Sequence, residues 1–226
     1  MIKPVNTCQW VSVEMALWRD PGRQSRYQSG DQTGEAMAVD DKTRCFGSNS
    51  EVYAAYHDTE WGVPVHDDQK LFEMLILEGA QAGLNWETVL NKREGYRAQF
   101  HSFDVETVAN MTDDALEAAR ENPEIIRNKL KIYSTRKNAR VFMEIQEEFG
   151  SFDAYLWGFV DGKPIVNAWP EFAQVPATTP ISDALSKDLK KRGMSFVGST
   201  IIHAYMQACG MVNDHLTTCW RHGMDP

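Results

Sequence analysis

A carboxylate inside an apolar helix is the feature that most constrains this chain. Residues 69–84 are predicted to form a buried helix, because six of the seven residues from 71 to 77 are apolar. Glu78 follows this run directly. A buried charge without a partner costs several kcal/mol or is removed by protonation. We therefore expect Glu78 either to face a partner or to line a pocket.

Aromatic residues flank this helix on both sides. Tyr53 and Tyr56 lie three residues apart in EVYAAYHD, so they share one face if that segment is helical. Trp86 follows eight residues after Glu78. We interpret residues 51–86 as a flat aromatic slot with one acid in it.

The residue types alone leave another interpretation open. Tyr56 and Trp86 are equally explained as core aromatic residues, which are common in proteins of this size. Glu78 would then pair with an arginine, for which Arg93 and Arg97 are the candidates.

The length and composition predict a globular protein with a sizeable core. The chain has 226 residues, of which 42% are hydrophobic and 11% aromatic. Residues 1–41 are polar with weak periodicity, and we expect a disordered or loosely attached tail ahead of one domain at residues 42–226. No apolar run approaches the roughly 20 residues that cross a bilayer, and no signal peptide is evident, so a cytoplasmic location is expected.

The charge is negative overall but unevenly distributed. The formal net charge is −9, which argues against indiscriminate binding to nucleic acid. Residues 127–140 nevertheless carry six basic side chains and no acid, and residues 187–192 carry four bases. These stretches could hold a phosphate backbone locally, or they could be solvated helix faces.

The periodicity after residue 41 predicts an all-α protein. Thr112 has the character of an N-cap, and the helix that follows should stop before Pro123. The proline-containing stretch 163–180 is expected to be a loop or crossover. Further helices are expected over residues 125–149, 152–160, 183–191 and 200–212.

Three long strings resemble the DNA-3-methyladenine glycosylase I family. They are YAAYHDTEWGVP at residues 53–64, LFEMLILEGAQAGLNW at 71–86 and FVGSTIIHAYMQACGMVNDH at 196–215. The resemblance extends over residues 44–219 in the same order. It implies an all-α fold like that of the helix–hairpin–helix DNA glycosylases. It also implies hydrolysis of the N-glycosidic bond that holds 3-methyladenine in alkylated DNA, as part of base excision repair.

The resemblance assigns roles to the residues of the slot. Glu78 matches the acidic, catalytic position, and Tyr53, Tyr56 and Trp86 match base-contacting positions. This chemistry suits a cationic base, because aromatic faces attract cations and flipped bases are held by stacking and by edge hydrogen bonds. Phe46 stands near the position where the family often has tryptophan and is expected to be a wall of the slot. Trp61 is expected to pack behind the slot.

A metal site is implied at the two ends of the similar region. His215 and Cys219 are four residues apart, whereas Cys45 and His57 are twelve positions apart, so spacing alone favours free side chains. Family members carry zinc on matching cysteine and histidine positions. Four protein ligands leave no open position, so one structural zinc ion that ties the chain ends together is expected.

The superfamily resemblance also points to a DNA contact. Its hairpin corresponds to residues 124–131, which lack the usual glycines, so Arg127, Lys129 and Lys131 are expected to anchor the DNA backbone. Asp153 and Asp161 lie downstream without the Gly-Pro-Asp context of superfamily members that use an aspartate.

The sequence therefore predicts a monomeric, monofunctional glycosylase acting on double-stranded alkylated DNA. No lysine of residues 51–86 is placed as a Schiff-base nucleophile, so strand cleavage is not expected. One alternative is a non-enzymatic, zinc-containing module that binds damaged DNA. A zinc hydrolase is a second alternative, and the four-ligand set argues against it.

Overall fold

The computed structural model describes residues 42–47 and 49–224, and it is built almost entirely of helices. The predicted tail, residues 1–41, lies outside the described residues. None of the described helices is both long and apolar enough to cross a membrane. The α-helices are α1 (Glu51–Thr59), α2 (Asp68–Gln81), α3 (Trp86–Leu90), α4 (Arg93–Gln99), α5 (Val105–Ala109), α6 (Asp113–Glu121), α7 (Lys129–Phe149), α8 (Phe152–Trp157), α9 (Pro180–Arg192) and α10 (Ser199–Ala208).

Helix α2 lies at the centre of the core. Every residue from 71 to 80 is buried, as the apolar run predicted. The helix packs against α7, α8 and α10. The ring of Phe72 lies 5.2 Å from that of Phe142, which in turn stacks on Phe152 at 3.9 Å. The Glu78 carboxylate is therefore held on a rigid, fully packed element.

The predicted helix limits are right at α6 and need correction elsewhere. Thr112 caps α6 by accepting a hydrogen bond from Ala115 N, and the helix ends at Glu121. Helix α7 begins at Lys129 rather than at residue 125, because residues 122–128 form a turn and the Asn128 side chain caps the helix.

The last two helices also differ from the prediction. Helix α9 begins at Pro180, because Thr179 and Ser182 form a reciprocal capping box. Helix α10 ends at Ala208 instead of continuing to residue 212. Gly210 follows it at φ +69°, where an added Cβ would lie 2.3 Å from the Pro64 nitrogen.

Two short parallel strands pair with each other, and the second lies near the end of the described chain. Strand β1 (Ile165–Val166) pairs with β2 (Val212–Asn213), with Ile165 opposite Val212. Short 3₁₀ turns lie at His101–Phe103, Gly158–Val160 and Phe172–Gln174. Residues 214–219 follow β2 and lie next to the beginning of the described chain, where Leu216 N donates to the Cys45 sulfur at 3.2 Å.

Candidate functional site

The four aromatic residues predicted to form the slot lie side by side. The Phe46 ring is 4.8 Å from Tyr53 and 6.5 Å from Tyr56. The Tyr56 ring is in turn 5.4 Å from Trp86, tilted by 54°. Ser50 caps α1, which supplies both tyrosines, and Asn85 caps α3, which begins at Trp86. We call these four rings, together with Glu78, the aromatic slot.

Glu78 is the buried acid of the aromatic slot. Its exposed fraction is 4%, and burial raises the pKa of its carboxyl to about 8. Burial raises the pKa of Tyr56 as well, and the negative charge of Glu78 adds to that rise. Tyr56 and the Glu78 carboxyl are therefore close enough to interact electrostatically. At neutral pH the carboxyl holds a proton unless a positive charge arrives.

The predicted alternative, an ion pair between Glu78 and an arginine, is wrong. Arg93 donates to both carboxylate oxygens of Glu60, at 2.9 and 2.8 Å, and to Glu73 at 2.5 Å. Arg97 donates to Glu73 and Glu94. Each arginine therefore pairs with carboxylates other than Glu78.

Trp86 carries a second polar group that no described residue satisfies. Its ring is buried, and Nε1 finds no hydrogen-bond partner within residues 42–47 and 49–224. Buried donors of this kind are rare and commonly mark a functional site or an unseen partner. The ring next to Tyr56 therefore offers both a stacking face and a free N–H donor.

A cleft of about 780 Å³ opens beside Tyr56. Helices α1, α2 and α4 line it, and its polar wall is the network of Glu60, Lys70, Arg93 and Arg97. The sequence analysis missed this network. The acids at 60 and 73 and the arginines at 93 and 97 are visible in the sequence. They are far apart along the chain, so the sequence does not show which acid contacts which arginine.

The four predicted metal ligands converge. One ligand atom from each of Cys45, His57, His215 and Cys219 lies within 4.8 Å of all the others. The His215 Nδ1 atom is 3.6 Å from the Cys45 sulfur and 3.5 Å from the Cys219 sulfur, and His57 Nε2 is 3.4 Å from Cys219. Ligands held 2.0–2.3 Å from a tetrahedral ion lie about 3.3–3.8 Å apart. The four side chains could hold one metal ion, and the three separations given above lie in this range.

The far side of each imidazole is also fixed. His57 Nδ1 lies 2.9 Å from the Asp58 carboxylate, which Arg44 holds with two hydrogen bonds of 2.8 and 2.7 Å. His215 Nε2 lies 3.2 Å from the Trp61 carbonyl oxygen. Each ring is thus oriented with one nitrogen towards the other ligands, while its second nitrogen is held by a carboxylate or a backbone carbonyl, as is usual for histidines that bind a metal.

The metal cluster adjoins the aromatic slot. Phe46 follows Cys45 directly, and its ring lies 4.9 Å from His57 and 5.0 Å from Trp61. Trp61 packs at 4.6 Å on His215, so it lies beside the metal ligands as well as behind Phe46. The hydrogen bond between the two thiols lowers the pKa of Cys219 and raises that of Cys45, so the pair favours one thiolate, on Cys219.

The three basic residues predicted to contact DNA are placed differently from one another. Arg127 is exposed in the turn before α7. Lys129 is exposed and lies 3.3 Å from Glu117. Lys131 points inward, where its ammonium donates to the carbonyls of Ala80 and Ala82.

The two downstream aspartates do not lie in a common arrangement with the slot residues. Asp153 is 2.8 Å from Nδ1 of His66, whose ring stacks on Trp157 at 4.4 Å. Asp161 ends the 3₁₀ turn after α8 with φ +53°. The geometry gives neither carboxylate a partner among the slot aromatics.

Comparison with known proteins gives one consistent match. The methyladenine glycosylase family matches residues 46–222. DNA-3-methyladenine glycosylase 1 of Escherichia coli (strain K12) is 49% identical over 172 residues, covering 76% of this chain and 92% of that protein. DNA-3-methyladenine glycosylase of Haemophilus influenzae is 47% identical over 178 residues, covering 78% and 96%.

A solved structure agrees with these matches. The structure that describes 3-methyladenine recognition by 3-methyladenine DNA glycosylase I from Staphylococcus aureus has a TM-score of 0.78. It is 33% identical and covers 80% of this chain and 97% of that one. The matched residues 46–222 include the whole aromatic slot and three of the four clustered ligands.

Proposed function

This chain belongs to the methyladenine glycosylase family, and we propose that it hydrolyses the N-glycosidic bond of 3-methyladenine in alkylated DNA. The observation that carries this proposal is the buried Glu78 carboxyl, whose charge acts on Tyr56, with the Trp86 ring 5.4 Å from the Tyr56 ring. A buried acid that has no basic partner among the described residues is suited to a flat cation with a hydrogen-bond donor. Adenine methylated at N3 has both properties.

The slot recognises the base by charge and shape. A cationic ring is attracted to aromatic faces, and extruded bases are held by stacking. The arriving positive charge lowers the pKa of Glu78, so the carboxyl gives up its proton and accepts a hydrogen bond from the exocyclic amine. Neutral adenine brings no such charge, and it would leave Glu78 protonated.

The bond that breaks is already weak in this substrate. Water forms a bond to C1′ of the sugar and releases a proton to solvent. The electron pair of the C1′–N9 bond returns to the ring and cancels its positive charge. Tight binding of the cation in the slot, after extrusion from the duplex, places the nucleotide for this step.

The chemistry does not require a lysine nucleophile. Lys70 is the lysine of the slot-forming stretch, and its ammonium donates to Glu60 at 3.2 Å. A covalent imine with the sugar is the usual route to strand cleavage. We therefore infer a monofunctional enzyme that leaves the phosphodiester backbone intact.

The ion that fits the metal cluster best is zinc. Two thiolates and two imidazoles at tetrahedral spacing form a common structural zinc site. Cys45, His57, His215 and Cys219 would hold the ion, and it would join the beginning and end of the glycosylase domain. With four protein ligands the ion stays structural, and base release proceeds without it as a reactant.

The inferred partner is double-stranded alkylated DNA. Arg127 is exposed in the turn before α7 and Lys129 is exposed at the start of α7, where both are suited to phosphate contacts. A monomer is sufficient, because the slot and the metal cluster are each built from one chain. A cytoplasmic location stays a prediction.

Base release from methylated DNA tests the proposal. The purified, metal-loaded protein should release 3-methyladenine and little 7-methylguanine, with the freed purines separated by chromatography. Strand length on a denaturing gel should stay unchanged. Binding to methylated DNA without release of any purine, by protein that is folded and metal-loaded, would instead support the non-enzymatic damaged-DNA-binding alternative.

A further inference from the structure

Lys131 makes the least expected contact near the slot. It lies in the first turn of α7, directly after the turn of residues 122–128, which contains Arg127. Its ammonium does not extend towards solvent but donates to the carbonyl oxygens of Ala80 and Ala82, each at 2.7 Å. One charged side chain thus joins the beginning of α7 to the end of α2.

The two carbonyls belong to a helix end that needs such a partner. The last carbonyls of an α-helix lack intrahelical donors, and the helix dipole makes that end negative. Ala82 is the C-cap of α2, and Gly83 follows at φ +80°. An ammonium at this place satisfies two acceptors and the dipole together.

Residues 80–86, which Lys131 contacts at Ala80 and Ala82, connect two parts of the aromatic slot. Glu78 lies two residues before Ala80, and Trp86 lies four residues after Ala82. The path of residues 80–86 therefore fixes the position of the Trp86 ring relative to the Glu78 carboxyl. A shift of this segment would change the width of the slot without touching any slot residue.

The surroundings of Lys131 keep its side chain in place. A nearly filled cavity of about 10 Å³ lies around it, lined also by Tyr96, Ser134, Asn138 and Phe196. Burial lowers the pKa of the Lys131 ammonium. A lysine free to follow a phosphate would be solvated, as the exposed Arg127 is.

We propose that Lys131 is a positioning residue of the aromatic slot, which holds residues 80–86 so that Glu78 and Trp86 receive the base, and that it does not contact a DNA phosphate. This inference rests on the proposed function and gives Lys131 a role other than the backbone contact that the sequence predicted for it. It also accounts for the inward direction of a lysine in the first turn of α7.

The test separates positioning from phosphate binding with two variants and three measurements. Lys131→Met keeps the length of the side chain and removes the charge, whereas Arg127→Ala removes an exposed base. The measurements are the single-turnover rate of 3-methyladenine release at saturating protein, the affinity for free 3-methyladenine by tryptophan fluorescence, and the salt dependence of Kd. The last uses a duplex that carries a tetrahydrofuran abasic-site analogue.

Lys131→Met should slow single-turnover release by about 10- to 100-fold, because small displacements of positioning groups cost this much. Its affinity for the free base should fall, and the slope of log Kd against log salt should equal that of the wild type. Arg127→Ala should show the reverse pattern, with a slope smaller by about one and an unchanged affinity for the free base.

A slope reduced by about one in Lys131→Met, with unchanged free-base affinity, would overturn the proposal and make Lys131 a phosphate contact. If the methionine variant fails to fold, Lys131→Gln, which keeps an amide donor for one carbonyl, answers the same question with the same measurements. A wild-type protein that releases no 3-methyladenine would contradict the proposed function. Free-base affinity would still decide the role of Lys131.

Discussion

Glu78→Gln is expected to reduce the rate of 3-methyladenine release by about 100-fold or more, the usual effect of removing one buried electrostatic group from a reaction site. Glutamine has almost the same shape and can still accept one hydrogen bond, but it cannot become negative when a cationic base arrives. The metal content should be unchanged, because Glu78 is not among the clustered ligands. Chromatography of the freed purines and metal analysis of the same sample check both statements.

The same substitution is expected to stabilise the protein at alkaline pH. The pKa of Glu78 is about 8 in the folded protein and 4.5 for an ordinary glutamate. Between these values the folded state binds the proton and the unfolded state does not, so the free energy of unfolding falls as the pH rises from about 4.5 to about 8. Glutamine has no proton to lose and avoids this loss, which amounts to roughly 4 kcal/mol at pH 8.

Glu73→Gln is the matched control for stability. Glu73 lies on the same helix and is 6% exposed, but it accepts hydrogen bonds from Arg93 and Arg97. Its replacement should destabilise the protein by about 3 kcal/mol, because it removes one of the two carboxylates that pair with the buried Arg93 and leaves only Glu60. Urea unfolding at pH 5 and pH 8 measures both variants. A Glu78→Gln protein that loses stability at pH 8 would show that Glu78 has a partner in the folded protein.

Loss of the metal site is expected to have the largest effect on stability. Structural metal sites contribute several kcal/mol or more to folding, so Cys219→Ser should lower the free energy of unfolding by at least about 4 kcal/mol. It should also abolish stoichiometric metal binding. Base release should fall with it, because Phe46 in the slot wall follows Cys45 directly and packs on His57. Thermal unfolding with and without a chelator, and metal analysis, measure these effects.

Cys209→Ala provides the control for that experiment. Cys209 is also a buried thiol near the end of the chain, but it is not among the clustered ligands. This variant should keep one metal ion per chain and lose only the stability expected for a small core change. Equal metal loss in both variants would contradict the assignment of the four ligands.

The sequence predicted the parts of the site that one helix or one turn defines. The apolar run of α2 that leads to Glu78, and the tyrosine spacing on α1, depend on local periodicity, and the structure has both. The metal ligands came from the family resemblance rather than from spacing. Cys45 and His215 are 170 positions apart, and only the folded chain brings them to 3.6 Å.

The sequence could not give the contacts that depend on direction in space. Lys131 has the same residue type and neighbourhood as Lys129, yet one donates to α2 and the other is exposed. Arg93 pairs with Glu60 and Glu73 rather than with Glu78. No local feature of the sequence indicates which of these carboxylates the arginine contacts. The early end of α10 follows from the close approach of Gly210 to Pro64, which is again a long-range contact.

The most direct test of the recognition of a cationic base by Glu78 is the pH dependence of kcat/KM for 3-methyladenine release. This parameter reports the ionisation of the free protein. Because burial places the pKa of Glu78 at about 8, kcat/KM should rise by up to about tenfold per pH unit below that value and become constant above it. The same profile should be flat in Glu78→Gln. A flat wild-type profile, or a rise that the glutamine variant retains, would contradict the assignment of Glu78 as the acid that recognises the base.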